Sequence, residues 1–83
     1  MAEININIES YGAICAHLPS DLTLLCEADC RVVDVLDQIA NRYPDSAAIL
    51  AKCACAIGDE MIPRSYLLDK NATLVLLSPV AGG

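Results

Sequence analysis

Three groups of residues could do chemistry in this chain: five cysteines, one histidine, and the final six residues, Ser78-Pro79-Val80-Ala81-Gly82-Gly83. Cys26 and Cys30 are separated by three residues and Cys53 and Cys55 by one, with Cys15 alone. Zinc sites prefer at least two residues between paired ligands and need four ligands in all. The cysteines therefore read as small hydrophobes of a reducing compartment rather than as a metal or redox centre. His17 sits in a loop segment without a Ser/Asp constellation beside it and reads as a solvated side chain. The ending is different. Pro79 cannot donate to a strand ladder, so it stops one and starts an extended segment. Val80 and Ala81 can pair with a groove. Gly82 and Gly83 lack Cβ atoms, fit a narrow channel and leave the Gly83 carboxylate unhindered. Six extended residues reach about 20 Å, enough to carry a terminal group into another protein's active site.

A Gly-Gly end can also be frayed chain. Here it follows directly on a strand, so the elements before it decide its meaning. Ile4, Ile6 and Ile8 alternate with Glu3, Asn5, Asn7 and Glu9, the pattern of a half-buried strand. Tyr11 to Asp21, with Gly12, Pro19 and Ser20, reads as a loop, and Leu22 to Cys26 as a second strand forming a hairpin with the first. Val32, Val35, Leu36, Ile39, Ala40 and Tyr43 recur at helical spacing, and Pro44 ends that helix. Its start is poorly marked, because Cys30, Arg31 and Val32 are weak caps. Asp45-Ser46 can cap a short second helix to about Lys52. Strands follow at Ala54 to Ile57 and Glu60 to Ile62, with Gly58-Asp59 as the turn. Tyr66 to Leu68 suggests a helical turn, and Asp69-Lys70-Asn71 a turn with Asn71 left-handed. Thr73 to Leu77 is the last strand, central and apolar enough to be buried on both faces.

The order strand, strand, helix, three strands predicts an α+β fold: a β-grasp, with a mixed sheet of about five strands and one main helix across one face. Residues 1–77 form the domain and residues 78–83 a flexible tail. With 83 residues the chain holds one core and cannot enclose a complete catalytic shell. The net charge of −6 and the absence of Phe and Trp exclude a phosphate-backbone binder and a base-stacking platform. No apolar run reaches the roughly 20 residues of a membrane span, and the alternating start is no signal peptide. A cytoplasmic protein is the default. At 55% hydrophobic residues, some apolar surface must stay outside, and such a patch marks a partner.

The ending LLSPVAGG is similar to that of the MoaD/ThiS family of ubiquitin-like sulfur carriers, and above all to molybdopterin synthase small subunits, whose usual end is an apolar pair followed by Pro-Pro-Val-x-Gly-Gly. The segment AIGDEMIPRSYLLDKNATLVLLSPVAGG resembles that family's last third without a gap, and VVDVLDQI resembles its helix. Ser78 departs from the first proline, Asn71-Ala72-Thr73 from the common Gly-Asp-Glu turn, Ala13 to His17 from an Arg and acidic pair, and Val32 from a Thr or Ser cap.

The resemblance implies that a ubiquitin-activating-type adenylating enzyme uses ATP to form an acyl-adenylate on Gly83. A persulfide donor then converts it to a thiocarboxylate. In molybdopterin synthase the tail would enter the large subunit, in a heterotetramer, and give its sulfur to cyclic pyranopterin monophosphate for molybdenum cofactor biosynthesis. The chain would bind no cofactor and act as the non-catalytic, sulfur-donating subunit of a transferase. Gly83 is then the reacting residue. Gly82, Ala81, Val80 and Pro79 line the partner's channel, and Leu76, Leu77 and Val80 are candidates for apolar contact, one of the two leucines being core. Asp59 and Glu60 can steer docking. Two other readings stand beside this one. The first is a carrier serving thiamine thiazole, cysteine or tRNA thiolation, and the second an inert β-grasp interaction module.

Overall fold

The computed structural model describes residues 2–79. The predicted tail positions Val80, Ala81, Gly82 and Gly83 lie outside the described residues. Strands β1 (Glu3–Tyr11), β2 (Thr23–Glu27), β4 (Ala54–Ile57), β5 (Glu60–Ile62) and β7 (Ala72–Leu77) form one sheet in the order β2-β1-β7-β4-β5. A small second ladder pairs β3 (Cys30–Arg31) with β6 (Leu67–Leu68). Helix α1 (Val32–Arg42) covers one face of the sheet, and α2 (Ala47–Leu50) is a single turn after a 3-10 segment, Pro44–Ser46. This is the ubiquitin-like β-grasp expected from the element order. The sheet is mixed because β1 and β7 run parallel, Ile6 facing Ala72 and Tyr11 facing Leu77, while β2, β4 and β5 are antiparallel to their neighbours.

The core follows from two periodicities. Ile4, Ile6 and Ile8 of β1, Leu24 and Cys26 of β2, Cys55 of β4, and Leu74 and Leu76 of β7 point to the helix side with the period of two. Val32, Val35, Leu36 and Ile39 meet them with the helical period, while Asp34, Asp37 and Gln38 stay in water. Burying a Leu or Ile side chain contributes about 1.5–3 kcal/mol. This apolar interface therefore dominates the stability of so small a domain.

The structure corrects several expectations. Leu67–Leu68 is a strand, not a helical turn; the turn lies at Arg64 and Ser65, closed by the Tyr66 N–H donating to Pro63 O at 3.1 Å. Asn71 is not left-handed, and among the described residues Asp29, with φ 69°, is the one non-glycine at positive φ. Asn71 instead accepts a hydrogen bond from the Asn5 N–H at 2.8 Å through its side chain. The Tyr11–Asp21 loop contains a 3-10 helix, Gly12–Ala16, that drops Ile14 into the core. Strand β7 is central as expected but is buried on one face only. Leu74 and Leu76 are enclosed, whereas Thr73, Val75 and Leu77 are half-buried, since a single helical layer covers one side of the sheet.

The weakly marked start of α1 is capped from outside the helix. The Val32 and Val33 N–H groups donate to Tyr66 O at 3.0 Å and Arg64 O at 2.9 Å, satisfying two of the orphan donors every helix begins with. The Arg31 N–H donates to the Asp34 carboxylate at 2.9 Å. Arg64 also closes the end of α2. Its Nη2 donates to Leu50 O, Ala51 O and Cys53 O at 2.8, 3.2 and 2.9 Å, closing the carbonyls after α2.

Candidate functional site

The site is built where β7 runs out. Leu77, its last residue, lies between Tyr11 of β1 and Ala54 of β4 in register. One step back, Val75 lies between Glu9 and Ala56, and Ala56 faces Met61 of β5. All these side chains occupy the sheet face away from α1. Tyr11, Leu77, Ala54, Val75 and Met61 present an apolar patch around the exit of the last strand, with Ala56 itself buried. Tyr11 and Met61 are 52% and 59% exposed, and no element covers them among the described residues. Large apolar side chains held in water on a rigid surface lose little entropy on docking, and a contiguous group of them marks an interaction face. Glu60 precedes Met61 and so faces the α1 side, whereas Glu9, opposite Val75, is exposed on the open face and Asp59 is exposed in the turn between β4 and β5. Glu9 and Asp59 give the patch an acidic rim suited to a basic partner.

The predicted residues divide across this geometry. Leu76 is fully enclosed, opposite Ser10 and Cys55, so it belongs to the core and is no contact residue. Leu77 is half-buried on the open face, and Pro79 is exposed beyond it. The Ser78 N–H extends the β1–β7 ladder by one bond, donating to Tyr11 O at 3.1 Å. Gly83, Gly82, Ala81 and Val80 lie outside the described residues. Tyr11, Val75 and Met61 were missed in the sequence. A signal was present in β7, where Val75 and Leu77 are apolar although they alternate with the core residues Leu74 and Leu76, and Tyr11 is the one apolar residue in the otherwise polar outward series of β1.

The cysteines occupy three environments. Cys26, Cys53 and Cys55 are buried and Cys30 is half-buried. Burial pushes the Cys26 thiol up to about 11, with Cys30 beside it adding to the rise. Burial likewise raises Cys30, Cys53 and Cys55 above the ordinary thiol range. At neutral pH these four are protonated, hence poor nucleophiles and poor metal ligands. Among the described residues no three His, Cys, Asp or Glu side chains are arranged to hold a metal ion. Cys15 is exposed on the 3-10 turn, its thiol donating to Ser10 O. His17 is exposed at the end of the same turn. None of these groups forms a nucleophile–base pair. The described residues thus offer a docking face and no catalytic constellation.

Comparison with known proteins fits this arrangement. The model of the ThiS family matches residues 14–83, the greater part of the chain and all of its last third. No curated protein matches at the level of sequence. The fold is similar to that of a protein named as subunit 1 of a molybdopterin converting factor from Pyrococcus furiosus, with a TM-score of 0.81 at 12% identity over 93% of this chain and 99% of that one. It is equally similar to SAMP1 from Haloferax volcanii, with a TM-score of 0.81 at 15% identity over 95% and 99% of the two chains. A second Haloferax volcanii protein gives 0.81 at 16% identity, over 98% and 88%. These structures share the fold, and the family match shares the sequence pattern through the Gly-Gly. The chain belongs to the ThiS family of ubiquitin-like sulfur carriers.

Proposed function

We propose that this chain carries sulfur as a thiocarboxylate on Gly83 and serves as the small subunit of a molybdopterin synthase. The observation that carries the reading is the pairing of a family match reaching Gly83 with an open apolar face at the root of the segment that bears it. The chemistry asks little of the globule. A carboxylate is a poor electrophile, so its oxygen first attacks the α-phosphorus of ATP on an adenylating enzyme, releasing pyrophosphate. The terminal sulfur of a persulfide then attacks the acyl carbon and expels AMP. A second thiol cleaves the resulting sulfur–sulfur bond, leaving the thiocarboxylate and a disulfide on the donor. The thiocarboxylate sulfur is a strong nucleophile. In the large subunit it would displace an oxygen substituent of cyclic pyranopterin monophosphate, and water would then cleave the acyl–sulfur bond, returning the Gly83 carboxylate and leaving the sulfur on the pterin; two such transfers complete a dithiolene.

The roles follow from position. Gly83 reacts, Gly82, Ala81, Val80 and Pro79 fill the partner's channel, and Leu77 with the patch around it docks the globule. ATP belongs to the adenylating enzyme, and this chain holds no cofactor of its own. Intact-mass spectrometry after incubation with a ubiquitin-activating-type enzyme, ATP and a persulfide donor tests the carrier role. The expected product is heavier by the difference between sulfur and oxygen, and deletion of Gly83 abolishes it. A chain whose mass never changes is an inert β-grasp module. The pathway has its own test, since the thiocarboxylated chain, the large subunit and the pterin precursor should together yield molybdopterin. Failure of that step with a loaded carrier assigns the chain to another thiolation pathway.

A further inference from the structure

The end of β7 is tied to the 3-10 turn after β1 by one side chain, that of Ser78. Beyond its ladder bond, Ser78 donates from Oγ to Tyr11 O at 2.6 Å and accepts from the Ile14 N–H at 3.2 Å. The hydroxyl is thus used in both directions, between the end of β1 and the 3-10 turn that follows it. Gly12 makes this possible twice over. Its φ of +86° is a conformation that side chains avoid, and a Cβ there would overlap Ser78 Oγ. Three hydrogen bonds therefore fix the backbone at residue 78, where a ladder bond alone would let the chain pivot. Pro79 follows with its own φ fixed, so the direction set at Ser78 passes on to the next residue.

We propose that Ser78 is a positioning residue for sulfur loading: its hydroxyl latch, seated on Gly12, fixes the root of the terminal segment beside the apolar docking face. The proposal rests on the carrier reading above. A reacting carboxylate tolerates little misplacement, since about 1 Å can cost about 100-fold in rate, and residue 78 sets where the terminal segment begins. A root that is already ordered loses less entropy when the segment enters the channel.

The test uses the full chain and whichever ubiquitin-activating-type enzyme adenylates it, following kcat/KM for acyl-adenylate formation by pyrophosphate release. Ser78→Ala should lower kcat/KM by about tenfold. It should also speed hydrogen exchange at the Ile14 amide, while the protein stays folded at the assay temperature. Ser78→Thr keeps the hydroxyl and should recover most of the rate. A merely structural serine would lower the melting temperature and leave the rate of the folded protein unchanged. The proposal is overturned if Ser78→Ala is adenylated within about twofold of the parent, or if Ser78→Thr shows the same loss as Ser78→Ala. If the parent chain itself is never adenylated, the carrier reading falls instead, so the two failures are distinct.

Discussion

Leu76 and Leu77 are neighbours in one strand with the same side chain, and the structure gives them opposite work. Leu76 is 0% exposed between Ser10 and Cys55, in the middle layer of the core. Leu76→Ala leaves a cavity there and should cost about 3 kcal/mol, within the range of about 2–5 found for such truncations. Unfolding entropy is about 2.1 cal/mol/K per residue, hence about 175 cal/mol/K for 83 residues, so the loss lowers Tm by about 17 °C. Leu77 already shows part of its side chain to water. Leu77→Ala should cost about 1 kcal/mol and about 6 °C. The order reverses for association. Leu77→Ala should weaken binding to the large subunit or the adenylating enzyme by about tenfold, the effect of losing about 1.4 kcal/mol at an interface centre. Leu76→Ala, held below its lowered Tm, should bind within about twofold of the parent. Circular dichroism melts and titration calorimetry on the same preparations give both numbers. Equal melting points for the two variants, or a binding defect confined to Leu76→Ala, would refute the assignment of faces.

The raised Cys26 thiol ties stability to alkaline pH. The unfolded chain ionises it near 9.0 and the native state near 11, so its contribution is fully present below about pH 9 and lost as pH rises through about 11. Urea unfolding across that window should fall by at most about 1.4 kcal/mol per pH unit for this thiol, and Cys26→Ala should flatten the curve. An aromatic disulfide reagent should label one thiol rapidly in the native protein, and Cys15→Ser should remove that phase, because the other four are buried or half-buried and protonated. Arg64→Met should destabilise by about 1.5–3 kcal/mol, the value of hydrogen bonds from a charged donor, with an unchanged denaturation midpoint counting against the carbonyl-closing role.

The five-stranded sheet and the main helix were legible because each carries a clean period. The isoleucines of β1 alternate, the apolar residues of α1 recur every third or fourth position, and Pro44 and Gly58 mark stops. What was not legible depends on distant partners. Leu67–Leu68 has no strand pattern of its own and becomes one because Cys30–Arg31 lies alongside. The start of α1 has no capping side chain at Ser or Thr because carbonyls of Arg64 and Tyr66 do that work. For the site, the ending pointed to Gly83, but the docking face did not stand out. Its members come from β1, β4, β5 and β7, and only the register joins them. The apolar run of β7 suggested double burial because a sequence does not say whether a second layer exists to cover Val75 and Leu77.

The parallel pairing of β1 with β7 also has a mechanical meaning. A pull on the terminal segment is transmitted along β7, which is bonded on both sides, to β1 and to β4. Force applied along a strand loads its ladder bonds together, in shear, rather than opening them one at a time, because those bonds lie across the strand direction. The segment that partners would grip is therefore tethered to a strand bonded on both sides, at the centre of the sheet. On the proposed carrier reading, withdrawal from a partner's channel would load the centre of the sheet rather than its edge.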